Sequence, residues 1–212
     1  MLTGEELQTL KERLRKEFSD YIEKGGGKNF RYHHLTSVRK YALKLADNVD
    51  EEVDIRVLEA AALFHDIGRS EDIEDGFLDP FENHEGHDEQ GAEIVPEYID
   101  DVLDKEKVEK VKKLIQNHHS EPETLEGKIL QDADHLYSYG VHDLWRMIHY
   151  SSQTEREIDE LPGYFWEELV PRRAEEIETF NFDKTREVAE KRLIRYQEAV
   201  RQFQDEIEAE DF

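Results

Sequence analysis

The sequence predicts an all-α protein, and three observations support that fold class. Apolar residues recur at intervals of three, four and seven along most of the chain, which is the period of an amphipathic helix. No segment shows the sustained alternation of apolar and polar residues that marks a strand. Only five prolines and 11 glycines interrupt the 212 residues. We therefore expect a bundle of long helices joined by short links.

The first three helices are predicted at about 4–23, 32–48 and 52–65. In each of them, apolar residues three, four or seven positions apart share one face. His34 belongs to the apolar face of the second helix, and His65 to that of the third. The glycine run at 25–27 ends the first helix, and Gly68 is placed to end the third.

The middle of the chain predicts a loop followed by two helices. Residues 69–83 have turn chemistry and no sustained period, so we expect a loop there. Helices over about 86–99 and 105–119 follow, because apolar residues again align on one face of each. His87 and His118 lie on those faces and should point inward.

The C-terminal part predicts a helix over about 128–149 and a last long helix that begins near Asp183. A chain of 212 residues fits one domain of generous size. We expect a single helical domain over 1–212, with a core over about 28–150 and a C-terminal helical extension over about 160–209.

Charge and composition exclude several classes of partner. Fifty-three acidic residues against 28 basic ones give a formal net charge of -25, which repels nucleic-acid polymers and anionic membrane surfaces. The longest apolar run, at 60–64, is too short to cross a bilayer, and the N-terminus lacks the apolar stretch of a signal peptide. Because there is no cysteine, we expect a soluble, cytoplasmic protein without disulfides or a thiol nucleophile.

Histidines and aspartates fall on or beside the apolar face or the end of several predicted helices. In a chain without cysteine, neutral imidazoles and carboxylates are the side chains that can bind a divalent metal and leave a position open for an activated water. That is hydrolase chemistry. The residues in question are His34, the His65–Asp66 pair, His87, the His118–His119 pair and Asp134.

The order of these residues resembles the HD-domain phosphohydrolases, whose signature is a histidine, an adjacent His–Asp pair and a distant aspartate. The stretches that carry the resemblance are FRYHHLTSVRKYALKLA, AALFHDIGR and ILQDADHLYSYG. The tail from about Tyr164 to Glu208 is similar to the C-terminal helices of the compact bacterial and archaeal members. The resemblance implies an HD-type helical bundle with its C-terminal helices packed on the core. It also implies a metal bound by His34, His65, Asp66 and Asp134, with His65 and Asp66 as catalytic residues.

Two of these assignments needed a choice between neighbouring residues. His34 shares the apolar face of its helix, whereas His33 points toward the edge, so we expect His34 to be the ligand. The alanine–aspartate motif of the family places the other ligand at Asp134. Asp132 would then orient a ligand or a water, or would simply be a solvated helix residue.

The remaining histidines of the cluster leave two interpretations open. His87, His118 and His119 could complete a second metal site, or they could hydrogen-bond substrate phosphate and act as a general acid. The cofactor is one or two divalent ions among Mn, Mg, Co, Ni, Fe and Zn. His84, His135, His142 and His149 are expected to be ordinary surface or packing residues.

A phosphorylated substrate needs local cations to bind a protein of this charge. Arg69 follows the His–Asp pair, and Arg146 lies 12 residues after Asp134, so both are predicted to bind substrate. For Arg146 the alternative is an ion pair with Asp143 or Glu155. Weaker candidates are Lys28, Arg31 and Arg39.

The resemblance predicts a metal-dependent phosphohydrolase acting on a small phosphorylated molecule, most plausibly a nucleotide. His135 and Tyr137 stand where relatives often carry arginine and aspartate, which leaves the substrate and the type of phosphate bond open. Two alternatives are a nucleotide-binding sensor without turnover and a di-iron oxygenase. The sequence does not decide the oligomeric state.

Overall fold

The computed structural model describes residues 1–18, 22–23, 30–74, 77–78, 86–153 and 156–211. The chain divides into two compact units, Met1–Asp134 and His135–Phe212. The expected single domain with a C-terminal extension stays a prediction. No helix within these described ranges is both long enough and apolar enough to cross a membrane.

Helices dominate the structure, and the predicted all-α class is confirmed. The elements of the first unit are α1 (Gly4–Phe18), α2 (Arg31–Ala46), α3 (Ile55–Phe64), a 3-10 helix (Ile67–Asp72), α4 (His87–Ile94), α5 (Pro96–Ile99), α6 (Lys105–Gln116) and α7 (Leu125–Tyr137), whose last three residues enter the second unit. The elements of the second unit are α8 (Asp143–Gln153), α9 (Glu160–Tyr164), a π-helix (Phe165–Leu169), α10 (Val170–Ile177) and α11 (Asp183–Glu208).

The described part of the chain contains three two-residue strands, which the sequence did not predict. They are β1 (Ile22–Glu23), β2 (Ile73–Glu74) and β3 (Phe77–Leu78). β3 pairs with β1 in parallel and with β2 in antiparallel orientation. The helix predicted over 4–23 therefore ends at Phe18, because the chain at Ile22 pairs with a distant segment instead of continuing the helix. The helical periodicity of one segment carries no information about its pairing with a distant segment.

Two of the predicted helices are each divided into two shorter ones. The helix expected over 86–99 is interrupted before Pro96, which has no backbone N–H to continue the helical ladder and begins α5. The helix expected over 128–149 is interrupted at Gly140, whose φ of 118° is incompatible with a continuous helix.

α3 forms the centre of the first unit. Every residue from Val57 to Phe64 is buried, and α3 packs against α2 on one side and α6 on another. Asp54 caps its N-terminus by accepting a hydrogen bond from the backbone N–H of Val57. The His65–Asp66 pair, which follows the last turn of α3, is therefore held at the middle of the unit.

A close backbone contact joins the turn after α3 to α4. A Cβ on Gly68 would lie 1.9 Å from the carbonyl oxygen of His87 and 2.8 Å from the backbone nitrogen of Gly91. Only glycine fits this contact. The approach brings the start of α4, and with it His87, next to Asp66.

The second unit has its own apolar core. α11 packs against α8, α9 and α10. Along one face of α11, Ala189, Leu193, Tyr196 and Val200 are buried, whereas Ile207 near its end is exposed.

Candidate metal centre

The predicted site residues of the first unit come together from five separate elements. Their side chains project from α2, the turn after α3, the start of α4, the residues after α6, and α7. They form two groups that share one aspartate. The His34 group consists of His34, His65, Asp66 and Asp134, and the His118 group consists of Asp66, His87, His118 and His119.

The His34 group is compact enough to surround one ion. His34 Nε2 lies 3.2 Å from His65 Nε2 and 3.2 Å from Asp134 Oδ1. His65 Nε2 lies 3.4 Å from the same oxygen of Asp134. Asp66 Oδ2 lies 3.5 Å from His34 Nε2. The structure therefore brings together all four residues that the resemblance implied as metal ligands.

The His118 group lies on the other side of the Asp66 carboxylate. Asp66 Oδ1 lies 3.6 Å from His87 Nε2 and 4.0 Å from His118 Nε2. His87 Nε2 lies 3.1 Å from His119 Nε2. One oxygen of Asp66 thus faces each group, so Asp66 could contribute to holding a metal in either group.

Backbone carbonyls orient two of the histidines. His65 Nδ1 donates to the carbonyl oxygen of Ala62 at 3.1 Å, and His118 Nδ1 donates to that of Ile115 at 2.5 Å. When Nδ1 of a neutral imidazole carries the proton, Nε2 keeps its lone pair, and both Nε2 atoms face the cluster. Such outer hydrogen bonds are typical of histidines that bind metals.

The electrostatics of the cluster favour ionised carboxylates. Burial raises the pKa of a carboxyl, yet Arg31 and His65 outweigh it and hold the pKa of Asp66 well below its usual range. The pKa of Asp134 is likewise low, because its histidine neighbours outweigh burial. Burial alone would lower the pKa of His65, but the two carboxylates raise it to about 9.

His34, His118 and His119 are held in their neutral form. Burial lowers the pKa of His118 to about 3, with further contributions from His65 and His119. The pKa values of His34 and His119 are also lowered, again mainly by burial. Divalent metals require neutral imidazoles and ionised carboxylates as ligands, so a metal bound by the His34 group would displace the proton that the raised pKa keeps on His65.

One buried atom tests whether a metal fits. His118 Nε2 is buried and has no hydrogen-bond partner among the described residues. Its 4.0 Å distance from Asp66 Oδ1 is too long for a hydrogen bond but suits two atoms bound to one ion. A metal would satisfy this nitrogen, whose burial is otherwise costly. The donor set therefore fits a divalent metal.

The structure distinguishes the neighbouring residues that the sequence compared. His33 is exposed and is not part of either group, whereas His34 is buried and lies within the first. Asp132 is 1% exposed, so it is not a solvated helix residue. Its role in orienting a ligand or a water stays a prediction.

The predicted substrate arginines lie in different units. Arg69 is half-buried in the 3-10 helix, and its backbone N–H donates to the carbonyl oxygen of Asp66 at 3.0 Å. Arg146 belongs to the second unit, where it forms the ion pair with Asp143 that the sequence offered as an alternative, at 2.6 Å. Contact of either guanidinium with a substrate phosphate stays a prediction.

The structure also clarifies the weaker candidates. Arg39 pairs with the fully buried Glu59, which gives it a structural partner. Arg31, by contrast, donates to Asp66 Oδ2 at 2.7 Å and so contacts the site directly. The sequence signal for Arg31 was its position three residues before His34, which places both on one face of α2. Lys28 and His84 lie outside the described residues.

A helical fold that gathers histidines and aspartates around a His–Asp pair defines a class of proteins that can hold divalent metals. Within this class, the family model of the HD domain matches residues 31–138, and the chain belongs to the HD domain family. The resemblance seen in the sequence is thereby confirmed. No curated protein is similar enough to the chain to match it.

Several solved structures share the fold over nearly the whole chain. An HD-superfamily hydrolase from Bacillus thuringiensis is 20% identical, with a TM-score of 0.68 over 97% of this chain and 98% of the other. A protein called a predicted HD superfamily hydrolase, from an uncultured Thermotogales bacterium, is 27% identical, with a TM-score of 0.63 over 94% and 92%. Bacillus subtilis YpgQ in complex with ADP is 20% identical, with a TM-score of 0.65 over 95% of each chain.

Proposed function

We propose that the protein is a metal-dependent phosphohydrolase that acts on a small phosphorylated molecule, with a nucleotide as the favoured substrate. The observation that carries the proposal is the pair of ligand groups that share Asp66, one facing each oxygen of its carboxylate. The ADP complex of YpgQ supports a nucleotide, since that protein has a similar fold.

The His34 group would hold the first ion, because it offers two carboxylates and two imidazoles within short distances of one another. A divalent metal held there supplies a hydrolytic water with a lowered pKa and polarises the phosphoryl oxygens. The ion is one of Mn, Mg, Co, Ni, Fe and Zn, all of which accept nitrogen and oxygen ligands.

The His118 group would hold a second ion. Its three imidazoles converge on Asp66 Oδ1, and the buried His118 Nε2 is satisfied by a metal more directly than by a substrate that has to enter and leave. The other interpretation, in which these histidines bond to phosphate or donate a proton, predicts a stoichiometry of one metal per chain.

The residues of the chain have separate tasks in this proposal. Asp66 orients the attacking water, because its carboxylate accepts hydrogen bonds and lies between the two groups. Arg69 would attract the phosphate and stabilise the charge that develops on its oxygens. For Arg146 the proposed target is a distal phosphate or the far side of a nucleotide. Local cations are needed, because the net charge of -25 repels an anionic substrate. A cytoplasmic location and the absence of nucleic-acid and membrane partners remain predictions.

A screen of nucleotides and phosphate esters, with Mn, Mg, Co, Ni, Fe and Zn added separately, tests the proposal. We expect release of phosphate or pyrophosphate by the wild-type protein and none by Asp66→Asn, because the amide cannot act as an anionic ligand. Nucleotide binding without turnover would support the sensor instead. Oxygen consumption by the iron-loaded protein would support the oxygenase.

A further inference from the structure

Arg31 lies against the carboxylate that both ligand groups share. Its Nη1 donates to Asp66 Oδ2 at 2.7 Å, and its guanidinium lies over the ring of Phe30, 5.2 Å from the centroid. Arg31 is the first residue of α2, three positions before His34, so the first turn of α2 presents both side chains on one face. The Arg31 side chain is 13% exposed, which shields this ion pair from solvent.

The Asp66 carboxylate can serve both groups only when one of its two equivalent oxygens faces each of them, which restricts rotation about its Cβ–Cγ bond. That rotation is soft in aspartate, because it joins a tetrahedral carbon to a planar one. In the structure Oδ2 faces His34 at 3.5 Å and Oδ1 faces His87 at 3.6 Å. A charge-assisted hydrogen bond from Arg31 to Oδ2 opposes any rotation that would take the oxygens out of this arrangement.

We propose that Arg31 is a positioning residue that fixes the rotation of the Asp66 carboxylate, so that one oxygen is directed at each metal position. The inference rests on the metal dependence of the proposed function. The direction of the change in metal affinity on removing Arg31 can be tested, because a nearby guanidinium repels a bound cation. If charge alone mattered, removing Arg31 would strengthen metal binding. If positioning matters, removal weakens it, since residues that orient metal ligands typically contribute about 10–100-fold to metal affinity.

The experiment measures Mn²⁺ affinity without any phosphate compound, from the electron paramagnetic resonance signal of free Mn²⁺. Arg31→Gln removes the charge, whereas Arg31→Lys keeps the charge but loses the planar donor geometry. We expect both variants to bind Mn²⁺ about 10-fold more weakly than the wild-type protein or worse. Arg13→Gln is the matched control, because Arg13 pairs with Asp101 in the same unit and contacts neither group. Circular dichroism verifies that each variant is folded.

Unchanged or tighter Mn²⁺ binding by either folded Arg31 variant overturns the proposal. A raised KM for a phosphate substrate with unchanged Mn²⁺ affinity also overturns it, because that result assigns Arg31 to the substrate. Failure of the proposed function gives a different result. If the wild-type protein binds Mn²⁺ and the Arg31 variants bind it weakly, but no phosphate compound is hydrolysed, the positioning role stands and the hydrolase proposal falls.

Discussion

At the scale of single residues, His33 and His34 are adjacent in sequence but differ in environment. Successive side chains on a helix are rotated by about 100°. His34 therefore points into the cluster, 3.2 Å from Asp134, while His33 is exposed and belongs to neither ligand group. Substituting each of these two histidines in turn therefore tests the site with a matched control.

We expect His34→Ala to lower metal affinity by more than about 100-fold, since it removes a proposed ligand, whereas residues that only support a ligand typically contribute about 10–100-fold. Hydrolysis should fall with metal binding. His33→Ala removes the same side chain one position away and should leave both within about twofold of wild type, a bound set by the roughly ±0.5 kcal/mol of ordinary surface changes. Isothermal titration with Mn²⁺ measures the affinities. An inactive His33→Ala beside a normal His34→Ala would contradict the assignment.

The helical period alone does not decide which of Asp132 and Asp134 faces the ligand cluster. Two residues apart on a helix, they differ by about 200° in direction, so α7 cannot present both to the same place. Both are nonetheless largely buried. Burial alone therefore could not identify the ligand, whereas the aspartate motif of the family and the 3.2 Å distance to His34 both indicate Asp134.

At the scale of elements, the contact between the turn after α3 and α4 determines whether the two ligand groups meet. Gly68→Ala would bring a Cβ within 1.9 Å of the His87 carbonyl oxygen, so the turn and α4 must separate. We expect a loss of about 1–3 kcal/mol or more in the free energy of unfolding, together with weaker metal binding. Urea unfolding measures the first and titration with Mn²⁺ the second.

Gly163→Ala is the control for this substitution. A Cβ at Gly163 meets no heavy atom within 4 Å, and the residue lies in the helix α9. Alanine there should be neutral or should stabilise the protein by up to about 1 kcal/mol. If Gly68→Ala behaved in the same way, the close contact would not be a constraint on the fold.

A second link between elements is the buried carboxylate of Glu59 in α3. It accepts hydrogen bonds from Arg39 of α2 and from the backbone N–H of Leu2 at 2.5 Å, and it is fully buried. Glu59→Ala would leave the Arg39 guanidinium without its partner in the interior. We expect a loss of about 3–5 kcal/mol in the free energy of unfolding, as is typical when one member of a buried ion pair is removed.

Chemical denaturation of Glu59→Ala measures this cost, and Glu106→Gln provides the control. Glu106 pairs with Lys110 on the exposed surface of α6, so its removal should leave the midpoint of unfolding unchanged within error. Equal effects of the two substitutions would show that the buried pair does not link α2 to α3.

At the scale of the whole molecule, metal binding should be visible in the stability of one unit. All seven residues of the two ligand groups, which share Asp66, belong to the unit Met1–Asp134. A metal at 100 times its Kd adds about 2.7 kcal/mol to the free energy of unfolding. For a chain of this size, that corresponds to a rise in Tm of about 5–10 °C.

Differential scanning calorimetry with Mn²⁺ and with a chelator tests this expectation. If the two units unfold separately, only the transition of the first should shift, because the second holds none of the ligands. A melting curve indifferent to both additions would remove the metal from the proposal. The double variant His34→Ala with His118→Ala should show no shift, because each group loses a ligand.

The sequence by itself determined the helical class and predicted the residues that the structure brings together in the two ligand groups. Both depend on local periodicity and on residue type: apolar faces place His34, His65, His87 and His118 inward, and the HD motif identifies the aspartates. The interruptions of the predicted helices at Pro96 and Gly140 also follow from residue type. The sequence did not predict them, because the apolar pattern continues across both positions.

Only the tertiary structure decided how these residues meet. The pairing of Ile22 with Phe77, the contact of Gly68 with His87 and the ion pair between Arg31 and Asp66 each join residues at least 19 positions apart. No pattern within a single segment reports such contacts, because they depend on how helices pack against one another. The same packing directs one oxygen of Asp66 toward each ligand group. The sequence predicted which residues would be ligands, and the arrangement of the helices around α3 decided that these residues form two groups around one carboxylate.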